Sequence, residues 1–193
     1  CGNSIGGFMC ASCADAAPEL VQALVLVNSA GPIEAGYEPD APRERSDPPP
    51  PLVVEALSRG LFWYLQASTP RLFRWLYPND PAAADEFILG ETVRASADPG
   101  ALNVFQSAFY LRKPPALNHL VRGFGGPVLV LQGGRDPLND ARGRARELGE
   151  LCDGATVRVL EGGHCPFEDS PEAFAEGLLE FLARVADPAV TTG

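Results

Sequence analysis

Gly2-Asn3-Ser4-Ile5-Gly6 opens the chain and reads as Gly-x-Ser-x-Gly, the tight strand-to-helix turn that lifts a serine out of a parallel sheet. Glycines are expected to flank the serine because the turn crowds the backbone and demands torsions that a Cβ obstructs. Ile5, the next residue, would aim its backbone N–H at a developing oxyanion from a helix N-terminus. Five residues of this kind also arise by chance in Gly-rich loops. The pattern gains meaning only if an acid and a histidine follow, in that order.

Both follow. Val128-Leu129-Val130-Leu131 is a short apolar run entered from Gly125-Gly126-Pro127 and closed by Gly133-Gly134, the signature of a buried parallel strand. Asp136 comes just past its C-terminal end, where open α/β sheets carry their working residues. A second strand, Ala155 to Leu160, leads through Glu161-Gly162-Gly163 into His164. The order Ser4, Asp136, His164 is the one found in α/β-hydrolases. Asp140 is the rival acid, four residues later and farther from the strand end. The chain has 2 histidines, and the other, His119, reads as a surface or loop residue.

These residue types suit acyl transfer. A serine hydroxyl is a poor nucleophile at neutral pH, so His164 would take its proton during attack on a carbonyl and return it to the leaving group. Asp136 would fix the ring's tautomer and stabilise the imidazolium. With an alcohol leaving and water completing the second half, the net reaction is ester hydrolysis.

Composition narrows the remaining classes. With 193 residues, 46% of them hydrophobic, the chain can bury one sizeable core. A net charge of −10 and a pI near 4.6 argue against nucleic acid and anionic membrane surfaces as partners. No apolar run is long enough to span a bilayer. The 5 cysteines lack regular spacing and read as reduced thiols. Cys10 and Cys13 lie in the helix after Ser4 and, like Cys165, are expected to pack as small hydrophobes. Nothing points to a metal or an organic cofactor. The chain starts where the nucleophile strand should end, so upstream strands, any targeting peptide and the loop with the second oxyanion donor are expected to be missing. A chain without that donor is expected to be inactive.

Along the sequence, the hydrolase core is expected at 1–32 and 127–193, with a helical cap inserted at 33–126. The first part holds a helix from Ile5 to about Ala17, then a strand from Ala23 to Val27 ending in Asn28-Ser29-Ala30-Gly31-Pro32. Pro42 and Pro48–Pro51 mark a stiff entry to the cap. Its helices are expected near Leu52–Gln66, Pro70–Leu76, Pro81–Leu89 and Gly100–Tyr110. Phe62, Trp63, Tyr64, Phe73, Trp75 and Tyr77 make the cap aromatic-rich, as helix core or as an apolar pocket. Arg71 and Arg74 read as solvated helix charges. After the 128–131 strand, a helix over Leu138–Cys152 would bury Ala141, Ala145, Leu148 and Cys152. The last helix has Ser170 as N-cap and Pro171 at N1, with Phe174, Leu178, Phe181, Leu182 and Val185 along one face.

A family resemblance rests on Gly2-Asn3-Ser4-Ile5-Gly6-Gly7, Leu24-Val25-Leu26-Val27-Asn28, Asp98-Pro99-Gly100-Ala101, Gly133-Gly134-Arg135-Asp136-Pro137 and Gly163-His164-Cys165-Pro166. Together they resemble plant and cyanobacterial α/β-hydrolases of the pheophytinase-like group, over nearly the whole chain. The resemblance implies Ser4 as nucleophile, Asp136 as orienting acid and His164 as base. It also implies an apolar small-molecule ester substrate, chlorophyll-type phytyl esters among the candidates, and a plastid location, with the cytoplasm as the alternative. Leu138 and Phe167 depart from a tryptophan and a second histidine common in that group. Gly-Asn-Ser-x-Gly-Gly is also similar to hydrolases that split carbon–carbon bonds in ring-fission products. A hydrolase-like protein without catalysis is the remaining reading.

Overall fold

Strands β2 (Leu24–Val27) and β3 (Val128–Gly133) are buried at every residue, as expected for apolar runs covered on both faces. Alternate side chains serve opposite layers. Leu24, Leu26, Val128 and Val130 pack with Ala11 and Ala14 of helix α1 (Ile5–Ala16). Val25, Val27, Leu129 and Leu131 pack instead with Phe181 of the last helix. The computed structural model describes residues 1–40, 51–110, 114–152 and 154–187. Pro42 and Pro48–Pro50 lie outside the described residues, so the expected stiff entry goes with them.

The described sheet has four parallel strands in the order β1-β2-β3-β4, with β1 at Gly2–Asn3 and β4 at Thr156–Leu160. β1 pairs Gly2 with Leu26 and Asn3 with Val27. All four strands run in one direction, so Ser4, Asn28, Asp136 and His164 emerge from the same end of the sheet. The architecture is the α/β-hydrolase fold, a parallel sheet flanked by helices.

Helices α2 (Pro51–Ala67), α3 (Thr69–Leu76), α4 (Glu86–Ser96) and α5 (Ala101–Ser107) follow β2, matching the helical stretch expected there. The third begins later than its pattern suggests. Pro81–Ala83 is a single tight turn, and Asp85 starts α4 by accepting the Ile88 N–H at 2.8 Å. Trp63, Tyr64 and Trp75 are exposed, whereas Tyr77 is buried and the Phe62 ring meets that of Phe105 at a tilt, 5.3 Å between centroids. Arg71 and Arg74 are exposed as expected.

Helix α6 (Leu117–Phe124) gave no advance signal within the 33–126 stretch. It lies on α1, and its Leu117, Leu120, Val121 and Phe124 join the cluster around Leu24 and Leu26. His119 therefore sits on a helix, half-buried, with its ring 4.9 Å from that of Tyr37, rather than in a loop.

Helix α7 spans Ala141–Leu151 rather than Leu138–Cys152, because the Asp140 carboxylate accepts the Gly143 N–H at 3.1 Å and fixes its start. The face Ala141, Ala145, Leu148 and Cys152 is buried as expected. After the short α8 (Pro166–Asp169), α9 (Pro171–Ala186) closes the described chain. Ser170 does not cap α9 with its side chain. Its hydroxyl donates to Glu161 O at 2.5 Å instead, which ties the helix start to the strand β4 exit. Leu182 is 43% exposed, so the packed face runs through Phe174, Leu178, Phe181 and Val185. Cys10 packs against the core but Cys13 is exposed, so the helical cysteines do not share one role.

Candidate active site

Ser4 has φ 54° and ψ −123°, a backbone conformation that costs a non-glycine residue about 1–3 kcal/mol. The surroundings impose it. Ser4 N donates to Val27 O at 3.0 Å, while Ser4 O accepts from Gly7 N at 3.1 Å and Ala30 N at 2.8 Å. The turn thus hangs between β1, α1 and the loop after β2. Its glycine requirement differs from the expected one. A Cβ on Gly2 would lie 2.4 Å from Gly6 C and O, and one on Gly7 would lie 2.8 Å from Gly2 O. A Cβ on Gly6 would meet nothing within 4 Å. Close backbone approach restricts positions 2 and 7, not both glycines beside the serine. Ile5 is the first residue of α1, where backbone N–H groups have no intrahelical acceptor.

The imidazole of His164 and the carboxylate of Asp136 meet in the interior. Nδ1 lies 2.9 Å from Asp136 Oδ2, with the carboxylate fully buried and the ring about one-tenth exposed. An ionised carboxylate only accepts, so Nδ1 carries the proton and the neutral ring keeps a basic lone pair on Nε2. Asp136 is itself fixed, because Oδ1 accepts the Leu138 N–H at 2.9 Å. Asp140 is occupied as the α7 cap. Among the described residues, no hydrogen bond joins the Ser4 hydroxyl to the ring. Such bonds are commonly long before substrate arrives.

Two asparagines hold the histidine loop over the sheet. Asn28, buried and at φ 41°, donates through Nδ2 to Gly163 O at 2.8 Å and to His164 O at 2.9 Å. Its Oδ1 accepts from Gln132 Nε2 at 2.5 Å and Gly133 N at 2.8 Å, so one side chain joins the ends of β2 and β3 to the loop after β4. Asn3 Nδ2 reaches His164 O at 2.9 Å, which connects the residue before Ser4 directly to the histidine backbone. Both asparagines stood inside the quoted motifs without a role. Polar residues at strand ends were the available signal.

On the far side, the Arg144 guanidinium donates to Ser29 O at 3.0 Å and Gly31 O at 2.8 Å, bracing the loop that bonds Ser4 O. Burial lowers its pKa from the usual guanidinium value, with the charges of Glu147 and Asp136 opposing that shift. Cys165 is half-buried and its thiol is pushed up to about 12, first by burial and then by the Glu168 charge. A thiol held protonated is a poor nucleophile, consistent with a packing role. Tyr77, which donates to Glu168 Oε2, is raised above the usual phenol range by its burial and that bond. Among the described residues no group of three or more His, Cys, Asp or Glu side chains is placed to hold a metal ion, and no helix is long and apolar enough to cross a membrane.

Residues 1–177 match the alpha/beta hydrolase family. The chain belongs to that family. The chain is 28% identical over 187 residues to a pimeloyl-[acyl-carrier protein] methyl ester esterase of Cronobacter sakazakii, covering 96% of this chain and 69% of the relative. It is 27% identical over 195 residues to a 2-hydroxy-6-oxo-6-(2'-aminophenyl)hexa-2,4-dienoic acid hydrolase of Metapseudomonas resinovorans, covering 96% and 60% respectively. Among solved structures, a bacterial membrane phospholipase A superposes with a TM-score of 0.67 at 26% identity, over 96% of this chain and 56% of that one. The chain therefore spans a little over half to about two-thirds of these relatives' lengths.

Proposed function

We propose that the protein is a serine hydrolase that cleaves a carboxylic ester of an apolar small molecule through Ser4, His164 and Asp136. The observation that carries this reading is the buried 2.9 Å contact between His164 Nδ1 and Asp136 Oδ2, at the sheet end where Ser4 has its strained turn. His164 Nε2 takes the Ser4 hydroxyl proton as Oγ attacks the ester carbonyl. The Ile5 N–H, at the α1 N-terminus, donates to the oxyanion. The imidazolium then protonates the departing alcohol, leaving an acyl-serine. Water, deprotonated by the same nitrogen, releases the acid and restores the hydroxyl. Asp136 holds Nδ1–H throughout and takes up no proton.

The methyl ester esterase relative supports an ester bond, and the aromatic-rich helices over 51–110 support an apolar substrate beneath a cap. The resemblance to pheophytinase-like hydrolases extends this to long-chain esters such as phytyl esters. The ring-fission hydrolase relative favours a second reading, carbon–carbon cleavage at the same serine. Turnover of p-nitrophenyl esters beside vinylogous diketones separates the two. Ser4→Ala is expected to abolish acyl-enzyme formation and lower kcat by about 10⁴-fold or more. Undiminished turnover in that variant would refute the assignment. Labelling of Ser4 by a fluorophosphonate in the 193-residue chain is expected if the assignment holds, and absence of labelling counts against it.

A further inference from the structure

Asp169 is 2% exposed, yet no step of the proposed chemistry uses it. Its carboxylate accepts the Gly163 N–H through both oxygens, at 3.1 Å to Oδ1 and 3.0 Å to Oδ2. Oδ2 also accepts the Asn79 N–H at 3.2 Å. Burying a carboxylate is costly unless donors surround it, and here the donors come from two distant segments. One is the Gly162–Gly163 peptide, one residue before His164, and the other follows α3 in the helical stretch.

The two segments are held together along their length. His164 N donates to Leu76 O at 2.9 Å, and Asn79 Nδ2 donates to Asp169 O at 2.9 Å and Ser170 Oγ at 3.1 Å. Tyr77 adds its bond to Glu168. Packing agrees with this. A Cβ on Gly163 would lie 2.2 Å from Leu76 O and 2.3 Å from Pro78 Cδ, so the loop is pressed backbone to backbone against the segment after α3. Asn3 and Asn28 grip the His164 carbonyl from the sheet side, and this second set of bonds grips the same loop from the helical side.

We infer that Asp169 is a positioning residue for His164: together with Asn79 it clamps the Gly162–Gly163 peptide, one residue before His164, to the segment after α3 and so sets where the imidazole stands. The inference rests on His164 being the catalytic base. A displacement of about 1 Å at such a group costs on the order of a hundredfold in rate, whereas apolar substrate contacts elsewhere are untouched. The loss should therefore fall on kcat and spare KM.

Asp169→Asn keeps size and one acceptor but turns a donor toward a donor. In the folded variant, kcat for a p-nitrophenyl ester is expected to fall about a hundredfold at unchanged KM, with Ser4 labelled by a fluorophosphonate correspondingly more slowly. A purely structural role would lower the melting temperature and leave both rates intact, which would overturn the inference. Should Asp169→Asn not fold, Asn79→Ala decides, since it removes two bonds from an exposed residue. A smaller kcat loss at unchanged KM supports the clamp, and a wild-type kcat, or a change confined to KM, overturns it. Ser4→Ala run in parallel separates the two failures: persisting turnover there sinks the triad itself, whereas an inactive Ser4→Ala beside a fully active clamp variant sinks the clamp alone.

Discussion

The sheet and the helical stretch over 51–110 are held by different means. Every residue of β2 and β3 is buried, with the two faces of each strand packed into separate clusters. In α2, by contrast, only Val54 and Ser58 are buried among the residues whose burial is described, while Leu57, Trp63 and Tyr64 stay exposed. Local contacts sustain these helices, such as the Glu55–Arg59 pair one turn apart and the tilted Phe62–Phe105 ring contact. An exposed ion pair of that kind adds well under 1 kcal/mol. Stability therefore resides in the sheet, and the helical stretch gains its fixed place from the seam where Leu76–Asn79 meets His164–Ser170. That seam lies against the candidate base.

The sharpest way to break this contrast is paired truncation. Leu129→Ala, at a fully buried strand position, is expected to cost about 2–5 kcal/mol. Leu57→Ala, on the exposed face of α2, should stay within about 0.5 kcal/mol. Urea denaturation of both variants checks the ratio, and equal losses would erase the distinction.

A smaller effect sharpens the sheet side. Gly2→Ala forces a Cβ to 2.4 Å from the Gly6 backbone and should destabilise by about 1–3 kcal/mol. Gly6→Ala meets open space inside a helix and should be neutral or stabilising by up to about 1 kcal/mol. Thermal melts of the two variants should move in opposite directions.

The mildest probe reads the seam by pH. Because the Cys165 thiol is raised from 9.0 to about 12 in the folded chain, the unfolded chain loses that proton first as pH rises. The folded state then binds more protons than the unfolded one, so this contribution is complete below pH 9.0 and is lost progressively up to about 12. At pH 8, iodoacetamide should modify exposed Cys1 and Cys13 well before Cys165, as mass spectrometry of the native protein would record. Equally fast labelling of Cys165 would mean the seam opens freely.

Motif spacing alone brought Ser4, Asp136 and His164 into one hypothesis, because parallel strands must deliver their C-terminal ends to one edge whatever lies between them. Apolar runs likewise announced β2 and β3, and small residues at helical spacing announced the buried face of α7. These features are local, or follow from chain direction. Other features required the assembled chain. Position past the strand end favoured Asp136 over Asp140 in sequence, but what each carboxylate binds, Gly143 N at 3.1 Å for Asp140 and the His164 ring at 2.9 Å for Asp136, came only with the fold. Gly6 matched a motif that its open surroundings do not require, whereas Gly7 is restricted by Gly2 and Ser29. Helix α6 escaped notice because its eight residues are too few for a secure period, and its apolar side acquires meaning only against α1. Asn28 and Asp169 are ordinary polar residues until folding removes water from around them. A hydrogen bond between groups more than a hundred residues apart leaves no periodic trace in the chain, and such bonds hold the histidine in place.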